Sequence, residues 1–407
     1  MRERSLRAIS ECAKIAGMSE EPGRTTRRFL TPPVHDVHAL LRARMEALEM
    51  DVRVDAAGNL RGLWMPANAG SRRLLLGSHI DTVPNAGAYD GVLGVAIGLE
   101  WVELAQQAGL PLAMELIAFS EEEGMRFGMP FLGSRAVAGR FDPALLALHD
   151  ADGITMEDAI REFGLDPVGI DAASVNGNAL GFVEVHIEQG PVLEAEGLGI
   201  AAVTGIVGQT RGAVVFSGQA NHAGTTPMHL RRDALVAAAE WIARVETVAH
   251  RVDGLVATVG KIDVEPDAMN VIPGKASVSL DVRHGSDRIR VAAVEELLGE
   301  ARTIAERRGI TVEWSERMNE AAVPMDERLT SFMADAIEAA GFPEKTMTSG
   351  AGHDAMVMAG RMPTTMLFLR SPGGISHHPS ESVRVEDVEA ALHVGVRFLE
   401  RVAAVSE

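Results

Sequence analysis

The chain is short of cysteine, tyrosine and positive charge, and each shortage removes a class of function. Its 407 residues include a single cysteine, Cys12, so no intrachain disulfide can form and a reducing, cytoplasmic setting is expected. Tyrosine also occurs once, at Tyr89, and aromatics make up 4% of the residues, too few for stacking platforms that hold bases or sugars. Acidic residues outnumber basic ones by 57 to 38, which leaves a formal net charge of −19. That balance argues against nucleic acid and against an anionic membrane surface as partners. It leaves an anionic small molecule open, because a local arginine or a bound cation can reverse the sign within a pocket. Neither a signal-peptide core nor an apolar run of bilayer length is visible. A Gly-x-Ser-x-Gly elbow and Walker spacing are missing too, which disfavours a serine nucleophile and a phosphate cradle.

What is present is apolar and glycine-rich. Hydrophobic residues reach 46%, enough for more than one core, and 41 glycines cluster around the polar motifs, where tight turns and close backbone approach need them. Apolar runs predict strands at 74–76, 114–119, 181–185 and 364–369, with a helix over 92–107. Alternating strands and helices predict an α/β class with a mostly parallel sheet. Residues 141–170 read as a charged, helical surface excursion. Texture changes near residue 205, where two long helices and about four strands predict an α+β unit. The expected organisation is a catalytic domain, 1–205 and 321–407, interrupted by an inserted domain at 206–320.

Each predicted strand of the first domain ends in groups that bind metals. His79, Asp81 and Asp90 follow the first, Glu121-Glu122-Glu123 the second, His186 the third and His377 the last. In open α/β sheets ligands bind at the carboxyl ends of strands. Histidines mixed with carboxylates suit divalent transition metals, with two ions able to share one carboxylate. Read singly, each group has an ordinary explanation. His79 could be a core histidine, Asp90 a helix cap, the glutamates a solvated turn, and His222 or His186 a loop or strand-end histidine. Of His377 and His378, one is expected to reach a metal. Asp81 is placed to accept the other N–H of His79 and fix its tautomer.

Taken together, GSHIDTVPNAGAYDG, SEEEGMRF, EVHIEQGPVLE, NHAGTTPM, DAMNVIPGK, DVRH, SGAGHDAM and PGGISHHPSE resemble the M20 metallopeptidase clan. More narrowly they resemble its amidohydrolase branch of allantoate amidohydrolases, N-carbamoyl-L-amino-acid hydrolases and β-ureidopropionase. The resemblance implies two divalent metal ions, Zn or else Mn, Co or Ni, in the catalytic domain, and an inserted domain that forms a homodimer. Asp90 would bridge the ions, His79 and His186 completing one site and Glu123 and His377 the other. Glu122 would be the general base, with Glu121/Glu122 as the alternative base and ligand pair. Arg283 would bind a substrate carboxylate, with Gln189, Gln209, Asn270 and His353 as the other substrate-binding residues. His222 would stabilise the oxyanion. The segment around Gln209 and the run Arg370-Ser371-Pro372-Gly373-Gly374 lean toward allantoate among ureido acids.

Overall fold

The structure, a computed structural model, describes residues 1–175 and 177–405. The chain divides into two compact units, Met1–Thr204 with Met325–Glu407, and Gly205–Pro324.

In the first unit a mixed sheet runs in the order Asp51–Val54, Leu60–Trp64, Ala113–Phe119, Arg73–His79, Ala179–Ile187, Thr364–Leu369 and Ile200–Ile206. The four strands from Ala113–Phe119 to Thr364–Leu369 are mutually parallel. Their neighbours on both sides are antiparallel. The expected mostly parallel sheet is therefore corrected to one that is parallel only at its centre. The reason at one edge is local. Asp55 Oδ1 accepts the amides of Ala57 and Asn59, which closes a tight turn, and strands joined by a tight turn must pair antiparallel.

Alternation along the central strands sends Leu74, Leu76, Met114, Leu116, Val183, Val185, Leu367 and Leu369 into one core with the helix Val92–Gln107. That helix is buried on nearly all sides, as expected of a sequence apolar all round. Helices Arg2–Ala16 and Val385–Ala404 pack against it. Residues 141–170 form separate short pieces, with Pro143–Ala147 and Met156–Glu162 followed by Pro167–Ala173. Asp142, Thr155 and Asp166 each cap a new start, so the segment restarts instead of running on. The parallel centre brings four strand ends side by side, and these carry the polar motifs.

The second unit has its own core. Its antiparallel sheet runs Ile262–Glu265, Lys275–His284, Gly208–Ser217 and Thr311–Glu320, with Val256–Thr258 also on Lys275–His284. This makes five strands where about four were expected, because the β-rich stretch after residue 255 breaks in two. Helices Ala234–Arg251 and Asp287–Arg308 cover one face through Trp241, Leu297 and Ile304, packed on Val214, Phe216, Val278 and Leu280. Among the described residues no helix is long and apolar enough to cross a membrane.

Candidate metal centre

His79 is the last residue of its strand, and His186 lies near the end of the neighbouring one. Asp90 stands just before the helix Val92–Gln107. Its Oδ1 lies 3.5 Å from His79 Nε2 and 3.2 Å from His186 Nε2, and the two imidazole nitrogens are 3.4 Å apart. On the other side, His377 Nε2 lies 3.3 Å from Asp90 Oδ2 and 3.3 Å from Glu123 Oε1. Two ligand sets thus share one aspartate: His79, Asp90 and His186, and Asp90, Glu123 and His377. A third set joins His79 to Glu122 and Glu123.

These groups fit a divalent cation. Asp90 Oδ1 is buried and finds no hydrogen-bond donor among the described residues, although two imidazole nitrogens face it. Three lone-pair atoms aimed at one another in a buried site call for a positive charge between them. Protons feel the same field. Burial pushes Asp90 up, but its contacts with His186, His377 and His79 overcome this and hold it well below the usual carboxylate range. Asp90 and then Glu123 draw His377 up to about 10. A site that gathers positive charge in this way can exchange protons for a metal ion.

Local backbone features set the geometry. Asp81 accepts the amides of Glu122 at 2.9 Å and Glu123 at 3.0 Å, so one carboxylate fixes the glutamate turn. His79 Nδ1 lies 3.1 Å from the Asp81 backbone carbonyl and 3.3 Å from Asp81 Oδ1, and together they turn Nε2 of that ring toward Asp90. Gly91 has φ +68°, and a Cβ there would sit 2.5 Å from the His79 ring. Its amide meets His186 Nε2 at 3.1 Å, so only glycine allows this approach.

The three glutamates behave differently. Glu121 is fully buried and turned away, with Oε1 3.4 Å from the Arg126 amide, and belongs to none of the ligand sets. Glu122 is pushed well above the usual carboxylate range, chiefly by burial, with Glu123, Asp354 and Asp81 adding and His79 opposing. A carboxyl perturbed in this way beside a ligand cluster is a candidate for acid–base work.

Gln189 reaches the same cluster. At φ +60° it sends Nε2 to Asp90 Oδ2 at 3.0 Å and lies 3.3 Å from His377 Nε2. His353 is 1% exposed, with its ring 4.4 Å from that of His186 and Nε2 3.0 Å from Ser349 Oγ. Burial, reinforced by His186, keeps its pKa well below the usual imidazole value, so it packs behind His186 as a neutral ring. His222, Asn270, Arg283 and Gln209 lie in the second unit. There Arg283 and Gln209 are direct cross-strand partners. Asp281 grips the Arg283 guanidinium through Nε and Nη2, both at 3.0 Å. His222 is exposed and pairs with Val271, while Asn270 accepts the Ala223 amide at 2.9 Å, which puts both on one loop pair.

Three contributors were not singled out from the sequence. Ser376 Oγ donates to Asp90 Oδ2 at 2.8 Å. Glu184 accepts Ser78 Oγ at 2.9 Å and the Ala355 amide at 2.8 Å, on the strand face that carries His186. Glu381 accepts the amides of Tyr89 and Asp90. Ser376 and Glu381 fall within the PGGISHHPSE string, and their spacing from His377 was the available signal.

A parallel-centred sheet whose strand ends gather histidines and carboxylates around one aspartate defines a metal-dependent hydrolase of the α/β type. The sequence profile described as "Peptidase family M20/M25/M40" matches residues 75–403, and the chain belongs to that family. It is 37% identical to an N-carbamoyl-L-amino acid amidohydrolase of Geobacillus stearothermophilus, over 96% of each chain. It is also 37% identical to an allantoate deiminase of Arabidopsis thaliana, over 97% of this chain and 81% of that one. A solved hydantoinase/carbamoylase family amidase from Burkholderia ambifaria superposes with a TM-score of 0.91 at 33% identity, covering 98% of this chain and 97% of that one.

Proposed function

We propose that this enzyme hydrolyses a ureido or carbamoyl C–N bond in a small carboxylate substrate, allantoate before others, using two divalent cations. The observation that carries the reading is the single aspartate, Asp90, shared by two sets of histidine and carboxylate ligands. His79 and His186 would hold one cation, Glu123 and His377 the other, and Asp90 both. The aversion of Glu121 to the cluster supports Glu122 and Glu123 as base and ligand over the pair Glu121 and Glu122. When bound, the cations supply Lewis acidity and lower the pKa of water, from about 15.7 toward about 7. The ligand chemistry suits Zn, Mn, Co or Ni.

Glu122 takes a proton from the attacking water as the new C–O bond forms. It returns that proton to the departing nitrogen as the C–N bond breaks. Gln189 faces the cluster and is a polar contact for the substrate. From the second unit, Arg283 would pair with the substrate carboxylate and Asp281 would hold its guanidinium in plane. Gln209 and Asn270 add polar contacts, and His222 would stabilise the oxyanion, an interaction worth about 3–4 kcal/mol. The buried His353 acts through its packing on His186. The reading includes a cytoplasmic homodimer paired through the second unit.

N-carbamoyl-L-amino acids are the second substrate class, favoured by a relative as similar as the allantoate deiminase. Ammonia release by the metal-reconstituted protein separates the two when allantoate and N-carbamoyl-L-amino acids are compared, and free amino acid release follows a dipeptide, whose hydrolysis yields no ammonia. Allantoate is expected to be turned over fastest. Fastest turnover of the dipeptide would overturn the reading. Glu122→Gln should keep its metals and lose at least about a hundredfold in kcat, and wild-type turnover in that variant would remove Glu122 as the base.

A further inference from the structure

Glu381 lies four positions beyond His377 in sequence and is 6% exposed. Its Oε1 accepts two consecutive amides from the far side of the chain, Tyr89 at 2.8 Å and Asp90 at 3.0 Å. Oε2 is buried and finds no donor among the described residues, so the hydrogen bonding of this carboxylate goes to those two amides. Space for it is made by Gly87, where a Cβ would fall 2.3 Å from Glu381 Cβ and 2.5 Å from its Cδ. Burying a carboxylate for two backbone contacts is expensive, and such an expense persists where a backbone must be held in one place.

The two segments joined here are those that present Asp90 and His377. Asp90 sits on an irregular turn ahead of a helix, and the helix start has no side-chain cap. His377 stands at φ +56°, a conformation that its loop has to enforce. Among the described residues the other side-chain ties between the two segments are His377 Nε2 at 3.3 Å and Ser376 Oγ at 2.8 Å, and both end on Asp90 Oδ2, an oxygen that a cation would engage. Glu381 supplies a tie that is independent of the ligands.

We propose that Glu381 is a positioning residue that locks the Asp90 turn to the His377 loop and thereby preorganises the cation site the two share. The inference rests on the reading of Asp90 and His377 as metal ligands. Loss of an outer-shell partner of this kind lowers metal affinity by about 10- to 100-fold.

The test is calorimetric titration of Zn or Mn into the metal-stripped full-length protein, with amide hydrogen exchange followed at residues 89 and 90. Wild-type protein that takes up no cation would remove the underlying reading, whatever the variants do. With binding in the wild type, Glu381→Ala should weaken the affected cation at least tenfold and speed exchange at both amides. Glu381→Gln keeps a carbonyl acceptor and should stay within about threefold of wild type. Gly87→Ala tests the same tie without altering Glu381, because its methyl group displaces the carboxylate. It should weaken the cation too, and it serves as the loss-of-tie variant if Glu381→Ala does not fold. Wild-type cation affinity in a folded loss-of-tie variant would overturn the proposal. So would equal losses in Glu381→Gln and Glu381→Ala.

Discussion

His38, on the helix Pro33–Ala47, is 6% exposed and meets the Phe163 ring edge-on at 5.7 Å. Burial, with smaller contributions from His35 and Arg42, lowers its pKa from 6.5 to about 4. The folded value is the lower one, so between the two values the unfolded chain binds the extra proton. Stability is therefore complete above the unfolded value and drains away as pH falls toward the folded one, by about 3 kcal/mol in full. His38→Phe should flatten the fall in urea midpoint between pH 6.5 and 4, and an unchanged fall would assign it to other groups. Residues differ in how far sequence exposes them. His79, His186 and the glutamate run were legible because each follows an apolar strand that must end at the sheet's carboxyl edge. Glu381 and Ser376 act on two backbone amides and on a ligand oxygen some 290 residues away, and their nearness to His377 in sequence marks the residues without revealing those contacts. His353 sits in a polar-looking string yet is buried, since its fate depends on His186 packing against it.

Helix Val92–Gln107 carries Glu100 on the face that also bears Glu103, and the Glu100 carboxylate is wholly buried. Arg4 reaches its Oε2 at 2.9 Å and Arg44 its Oε1 at 3.1 Å, with Arg7 on both oxygens. Glu100, with Glu103 on the same three arginines, thus fastens the helices Arg2–Ala16 and Pro33–Ala47 onto the central helix. Removing one partner of a buried ionic group leaves the others unpaired, and Glu100→Ala should destabilise by about 3 kcal/mol. Urea unfolding measures this, and a loss below about 1 kcal/mol would mean that the neighbouring Glu103 suffices. Elements were read best where one periodicity ran unbroken. The helix over 92–107 and the strand over 364–369 match the structure residue for residue. The sheet was read less well, because strand direction depends on connections. A tight turn at Asp55–Asn59 pairs Asp51–Val54 with Leu60–Trp64 antiparallel, at the edge of a sheet that the alternation of strands and helices implied was mostly parallel.

The two units hold separate hydrophobic cores, one including Trp101, Leu116, Val183 and Phe398, the other Trp241, Phe216, Val278 and Leu297. All the proposed metal ligands belong to the first unit, and none lies within Gly205–Pro324. A ligand that binds only the folded state stabilises it by RT ln(1 + [L]/Kd), about 2.7 kcal/mol at a hundredfold excess over Kd. That stabilisation should fall on the cooperative unit that contains the site. Amide hydrogen exchange of the protein with its metal and after chelation measures each core by itself. Protection should drop on chelation in the strands Arg73–His79, Ala113–Phe119 and Ala179–Ile187, while Gly208–Ser217 and Lys275–His284 keep theirs. An equal loss in both sheets would show that the cores unfold as one. Protection unmoved in the first would show that the cluster around Asp90 holds no stabilising cation.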